Sequence, residues 1–316
     1  VKLLIAYDGS NCAEAALDDL VRAGLPHNVE ALVFSVAEAW LPPERSDEGA
    51  EAPEEIMSPT IKKAVEKMYE RERRIIAEAE TFAGHAKQRL QKMFPSWTVT
   101  AEASYGSPAW EIITRADNYK PDLIVVGSHG QSAISRFFLG SISQKVLTEA
   151  ASSVRIARGR IDVDAAPSRI IIGYDGSAGA NAAVASVLER TWTGNSEFRL
   201  ITATPQMVSS GIERFVSPSI SVNTVAQELS AFPHIQLPQD LLEQFAQKKI
   251  TPEIKFVSGN PKQVLPDEAE QWGADCIFLG AESKGHTLER FLLGSTAAAV
   301  SSRAGCSVEV VRNRNN

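Results

Sequence analysis

The sequence predicts an α/β chain of two tandem doubly wound domains, each a parallel sheet flanked by helices, and three observations carry that prediction. Short apolar runs alternate with stretches of helical periodicity, as a parallel sheet covered on both faces requires. The chain then repeats itself: Ile170-Ile171-Ile172-Gly173-Tyr174-Asp175-Gly176-Ser177 restates Leu3-Leu4-Ile5-Ala6-Tyr7-Asp8-Gly9-Ser10, so Asp175 follows Asp8 by 167 positions (175 − 8). Finally, a glycine-rich loop, Gly127-Ser128-His129-Gly130 with Gly140-Ser141 further on, leaves the end of an apolar strand. Ligands of such sheets bind at the carboxyl ends of strands.

In the first copy, Lys2 to Tyr7 reads as a buried strand stopped by Asp8-Gly9-Ser10. A helix follows with Ala13, Ala16, Leu17, Leu20 and Val21 on its apolar face and Ser10 or Asn11 as cap. Glu30 to Val36 is the second strand, and the acidic, proline-rich stretch from Ala37 to Pro59 reads as an insertion outside the core. Ser58 to Met93 is a long helix whose alternating Glu, Lys and Arg imply a solvated face with intrahelical pairs. Thr98 to Ser104 is the third strand, Ser107-Pro108 opens a helix over 109–118, and Asp122 to Val126 is the fourth strand. After the glycine loop come a helix from Ser141 to Ala150 and a last strand, Val154 to Ala157.

The second copy keeps the order but not the spacing. Pro261 and Asp275 each follow Pro108 and Asp122 by 153 (261 − 108, 275 − 122), so 14 residues (167 − 153) are missing where the first copy carries its insertion. This gives domains over 1–158 and 168–316 joined by a linker, 159–167. Its glycine loop is altered: Gly280-Ala281-Glu282-Ser283-Lys284-Gly285 puts an anion where phosphate charge would be neutralised, although Asp175, Gly294 and Ser295 are retained.

Composition narrows the partners. With 316 residues the chain is long enough to bury two cores, and 44% hydrophobic and 22% charged residues are ordinary for a globular protein. A formal net charge of −7 argues against duplex nucleic acid and anionic membranes as partners. No run of about 18 apolar residues is present, so no transmembrane helix is expected. The start, Val1 to Asp8, is too short and strand-like for a signal peptide. Cys12, Cys276 and Cys306, odd in number and widely separated, suggest reduced thiols and a cytoplasmic protein.

The glycine loop points to phosphate. Gly127 and Gly130 let backbone turn and approach a ligand, and the hydroxyls of Ser141 and Ser143 with the free N–H groups of a helix first turn suit an anion. No GxxxxGK[ST] loop, kinase motif set or GxGxxG opening is present.

With the Asp8 strand end, the Gly127-x-x-Gly130 loop, the nine-residue spacing to Gly140-Ser141 and the tandem repeat, the chain resembles the universal stress protein family over nearly its whole length. The resemblance implies a five-stranded parallel sheet per domain and, in the nucleotide-binding branch, ATP at this loop with Mg²⁺ accompanying it. Ala6, Tyr7 and Asp8 would then sit beside the adenosine, Asp8 toward the ribose, and Val36 would offer backbone groups to the adenine edge. Gly127, His129 and Gly130 would wrap the ribose and phosphates, while Gly140, Ser141, Ile142 and Ser143 would supply amides and hydroxyls to the phosphates. The implied function is a nucleotide-dependent stress-response regulator, its two domains forming an intrachain pseudo-dimer in which the last strands, Val154 to Ala157 and Val308 to Val311, would pair across a pseudo-twofold axis; Arg155 facing Glu309 would suit such an antiparallel edge, and a homodimer of such chains stays open. No catalytic residue is assigned. Two other readings stand beside it: a nucleotide-free interaction module using the long charged helix, and a slow ATP hydrolase or phosphotransferase. Arg136 and Phe137-Phe138-Leu139 are expected to be structural, the last three anchoring the loop to the core.

Overall fold

The computed structural model describes residues 1–39, 59–130, 139–158, 168–204, 238–281 and 293–313. The first domain runs β1 (Lys2–Ala6), α1 (Asn11–Asp19), β2 (Glu30–Ala37), α2 (Pro59–Met93), β3 (Thr98–Tyr105), α3 (Pro108–Tyr119), β4 (Leu123–Gly127), α4 (Ser141–Glu149) and β5 (Ser153–Ala157). The second runs β6 (Arg169–Gly173), α5 (Ala178–Leu188), β7 (Glu197–Thr204), α6 (Gln239–Gln247), β8 (Glu253–Ser258), α7 (Pro261–Trp272), β9 (Cys276–Gly280), α8 (Ser295–Arg303) and β10 (Ser307–Val311). Most of the acidic insertion, the linker, Arg136 to Phe138 and Glu282 to Gly285 lie outside the described residues.

The ten strands form one sheet in the order β3-β2-β1-β4-β5-β10-β9-β6-β7-β8. Every neighbouring pair is parallel except β5 with β10, which run antiparallel and join the two halves. Arg155 stands opposite Glu309 in that register, as the two charges in otherwise apolar strands suggested.

The two faces of the sheet differ at the seam. On one, Val154, Ile156, Val308 and Val310 belong to a single hydrophobic core that continues from the first domain into the second. On the other, each domain keeps a core of its own. An ionic cluster is buried at the seam. Arg155 is fully buried and donates to Asp19 at 2.6 Å and to Glu309 at 3.1 Å. Glu309 also accepts from Arg190, and Asp19 accepts from the Ser307 hydroxyl at 2.7 Å. Burial opposes the charge on Arg155, but Asp19, Cys276 and Glu309 more than offset it and hold the guanidinium well above its usual range.

Helix α1 departs from its expected face. Ser10 caps it, its hydroxyl accepting from Ala13 N–H at 3.2 Å, and Ala13, Ala16 and Leu17 are buried as read. Val21, placed on the same face by 3.6-residue periodicity, is 63% exposed. The chain tightens into a 3₁₀ turn at Leu20–Arg22, and three residues per turn rotate Val21 out of the apolar stripe.

Gly127 closes β4 and Gly280 closes β9, and at both the missing side chain admits a helix. A Cβ on Gly127 would lie 3.0 Å from the Cys12 carbonyl group of α1, while one on Gly280 would overlap the backbone of Gly179 in α5. Gly127 was read as giving a ligand close access; its lack of a side chain is used first by α1. Gly280→Ala is expected to destabilise the chain by about 2–3 kcal/mol, the upper part of the overpacking range, and Gly127→Ala by less. Urea denaturation measures both, and equal costs below about 0.5 kcal/mol would show that the helices retreat without penalty.

Candidate nucleotide site

Strand β2 is longer than β1, and this difference opens a cavity. The pairing of β1 with β2 ends at Ala6 opposite Phe34, followed by Tyr7 N–H donating to the Phe34 carbonyl at 3.0 Å. Beyond it, Ser35 to Ala37 pair only with β3. Backbone direction alternates along a strand, so Val36 presents its amide and carbonyl on the same edge as Phe34, past the end of β1.

The cavity formed there has a volume of 370 Å³, within the range of small-molecule sites. Of the sequence-predicted residues, Ala6, Tyr7, Asp8, Val36, Gly127, His129, Gly130, Ile142 and Ser143 line it. Gly140 and Ser141 are not among its walls, but the Gly140 N–H donates to the Ser128 carbonyl at 2.8 Å, which joins the start of α4 to the loop. Asp8 folds over the following turn, its carboxylate accepting from Ser10 N–H at 3.0 Å. A Cβ on Gly130 would come within 3.1 Å of that carboxylate, so only glycine lets the loop lie against Asp8 without displacing it.

The two serines at the start of α4 stand differently. The cap of α4 is Gly140, not Ser141, and Ser141 is the first helical residue. A glycine cap has no side chain to accept from the helix N–H groups, so this end differs from the serine-capped starts of α1 and α5. Ser143 is buried and donates its hydroxyl to the Gly127 carbonyl at 2.7 Å, which ties α4 to the end of β4. Its hydroxyl proton is committed there. Tyr7, in turn, directs its hydroxyl to Glu14, which also pairs with Arg89 of α2. Burial raises the Tyr7 pKa and keeps the phenol neutral.

His129 is only 9% exposed. Its Nδ1 lies 2.9 Å from the Ser128 hydroxyl, and its buried Nε2 has no hydrogen-bond partner among the described residues. Burial and, secondarily, the charge of Arg158 push its pKa below the usual histidine value, so the ring is neutral at neutral pH. When Nδ1 accepts from Ser128, Nε2 carries the ring proton and is a donor.

The sequence reading missed one wall. Ile75, Glu78, Ala79 and Phe82 of α2 cover the cavity, and Phe82 packs where a Gly9 side chain would stand. Ile75, Ala79, Phe82, Ala83 and Ala86 recur at helical spacing, which signals a packed face but not what that face covers.

In the second domain the corresponding space is taken by side chains. Gly173, Leu265 and Leu279 answer Ala6, Ile112 and Val126, all three of which line the first cavity. A Cβ on Gly173 would overlap Leu279 and lie 3.1 Å from Leu265, so the two leucines lean over the end of β6.

Comparison with known proteins agrees with the repeat. The model of the Universal stress protein family matches residues 2–158 and again 167–312. A universal stress protein of Thermus aquaticus is 30% identical over 156 residues, which is 49% of this chain and 97% of that protein. Universal stress protein YxiE of Bacillus subtilis is 30% identical over 159 residues, 50% of this chain and 98% of its own length. One half of the chain thus spans each of these relatives almost entirely. The crystal structure of a universal stress protein from Archaeoglobus fulgidus shares the fold, at 20% identity and a TM-score of 0.60 with 98% of each chain covered. No helix among the described residues is long and apolar enough to cross a membrane. Two family-model matches that together take in most of the chain, on a sheet whose halves repeat strand for strand, show that this chain belongs to the universal stress protein family.

Proposed function

We propose that the first domain binds an adenine nucleotide, ATP with Mg²⁺, and that occupancy of this site is the signal the protein transmits as a nucleotide-dependent stress-response regulator. The observation that carries this reading is the pairing of two unlike ends in one cavity. One end is bounded by the apolar side chains of Val36, Phe34 and Ile112 beside an open strand edge, and suits a purine. The other holds the glycine loop, the unpartnered Nε2 of His129 and a helix start capped only by glycine, and suits phosphate oxygens. Among the described residues no three acidic, histidine or cysteine side chains gather as a metal site, so Mg²⁺ would be held mainly by the phosphates themselves.

The second domain is proposed to be a structural partner, because Leu279 and Leu265 lean into its crevice and Glu282 adds a negative charge to its loop. Isothermal titration of ATP with Mg²⁺ into the purified chain, freed of carried-over ligand, is expected to give one site per chain. An absence of binding would overturn the nucleotide reading in favour of an interaction module. Two equivalent sites would overturn the division between the domains.

A further inference from the structure

We propose that Arg158 is the fixed positive charge of the first-domain site, an anion-binding residue that pairs with the phosphate oxygens of the ligand. The assignment rests on the nucleotide reading for the identity of that ligand, but not for its charge. Strand β5 runs beside β4 with Ala157 opposite Gly127, so the residue after Ala157 stands level with the glycine loop. The backbone of Arg158 is clamped there. Its N–H donates to the Ser307 hydroxyl at 2.9 Å, and that hydroxyl in turn gives its proton to Asp19.

The guanidinium is what demands a ligand. Its three nitrogens are buried, and none has a hydrogen-bond partner among the described residues. Other buried arginines have carboxylate partners: Arg155 donates to Asp19 and Glu309 and leaves only Nη2 without one, and Arg190 donates to Glu309 and the Ala23 carbonyl. The comparison with Arg312, which follows β10 as Arg158 follows β5, is sharper. Its N–H likewise donates to a serine hydroxyl across the seam, Ser153, but its guanidinium donates to the Leu147 carbonyl at the end of α4. Arg312 thus has partners for one end of its guanidinium and leaves Nε without one, whereas none of the three nitrogens of Arg158 has a partner among the described residues.

A second orphan, the Nε2 of His129, lies on the glycine loop and in the cavity wall, and the charge of Arg158, which stands behind that wall rather than in it, is felt at that ring. A buried cation and a buried ring nitrogen, neither with a hydrogen-bond partner among the described residues, are matched by a group carrying several anionic oxygens. A planar guanidinium fork is the side chain best shaped for a phosphate. The electrostatic selection of the site thereby falls on the phosphates, and the base and ribose are held by other walls.

The test is a comparison of wild type with Arg158→Met, titrated separately with ATP, adenosine and inorganic pyrophosphate. The expected result is at least a tenfold loss for ATP and pyrophosphate with less than a twofold change for adenosine. The ligand-free variant should melt no lower than wild type, because an uncompensated buried charge has been removed. Equal losses for ATP and adenosine, or an unchanged ATP affinity, would overturn the assignment. If wild type binds pyrophosphate through Arg158 but no adenine nucleotide, the nucleotide reading falls and the anion site stands; if it binds neither, both fall. Should the methionine variant fail to fold, Arg158→Lys decides: it keeps the charge without the fork and is expected to weaken ATP severalfold, again sparing adenosine.

Discussion

Glu309→Ala is expected to destabilise the folded chain by about 3–5 kcal/mol, the cost of removing one partner from a buried ion pair. The cluster at the seam holds two arginines, Arg155 and Arg190, against two carboxylates, Asp19 and Glu309, and is neutral as a group. Truncating Glu309 leaves a net positive charge among groups that have almost no contact with water. Burial already pulls the Arg190 pKa down, and Glu309 is the first group opposing that pull. Glu309→Gln keeps the shape and one acceptor but not the charge, so it is expected to fall between wild type and alanine. Urea denaturation followed by circular dichroism reads both variants. A cost below about 1 kcal/mol for the alanine would mean that water enters the seam and that the continuous apolar core on the other face holds the domains together alone.

Half of that cluster is legible in the sequence and half is not. Arg155 and Glu309 interrupt otherwise apolar strands at equivalent places in the two copies, and opposite charges in such positions announce each other. Asp19 and Arg190 carry no such mark. Asp19 ends a short helix next to Asp18, where an acidic residue ordinarily faces solvent, and it is held inward by Arg155 of β5 and Ser307 of β10. Strand order and domain repeat are encoded locally, in period and apolar run. The partners of a seam are fixed by tertiary contact between segments far apart in sequence.

The site divides in the same way. Nine of the residues that the family resemblance implied line one cavity, as they can because the ends of neighbouring parallel strands lie side by side. The α2 wall was hidden, since periodicity shows that Phe82 and Ala79 pack on something but not that they pack over a cavity. Arg158 was hidden because an arginine at a strand end looks like any solvated terminus; its isolation is visible only once burial and partners are known. The helix after the glycine loop starts at Ser141 as its sequence suggested, and its cap is therefore Gly140, a residue with no side chain to mark the position as a serine would.

Gly140→Asp is expected to weaken ATP binding at least 100-fold while leaving the fold as stable as before or slightly more so. Gly140 has φ −61°, a conformation open to any residue, and a Cβ there would meet His129 Cα and the Ser128 carbonyl at 3.4 Å, ordinary van der Waals contact. The carboxylate therefore fits. As an N-cap it would accept from the first-turn N–H groups of α4 and complement the helix dipole, contributing a few tenths of a kcal/mol to about 1 kcal/mol. Those are the same donors the phosphates are proposed to use, and the new charge repels what remains of the ligand. A 100-fold loss corresponds to about 2.7 kcal/mol. Gly140→Ala, which adds the Cβ without the charge or the acceptor, is expected to stay within about threefold of wild type. Calorimetric titration and thermal melting of the three proteins separate the terms: binding lost with melting temperature kept or raised places the ligand on the start of α4. Binding lost equally in Gly140→Ala would show instead that the cradle is limited by space. Unchanged binding in Gly140→Asp would remove α4 from the site and leave the glycine loop and Arg158 to hold the phosphates.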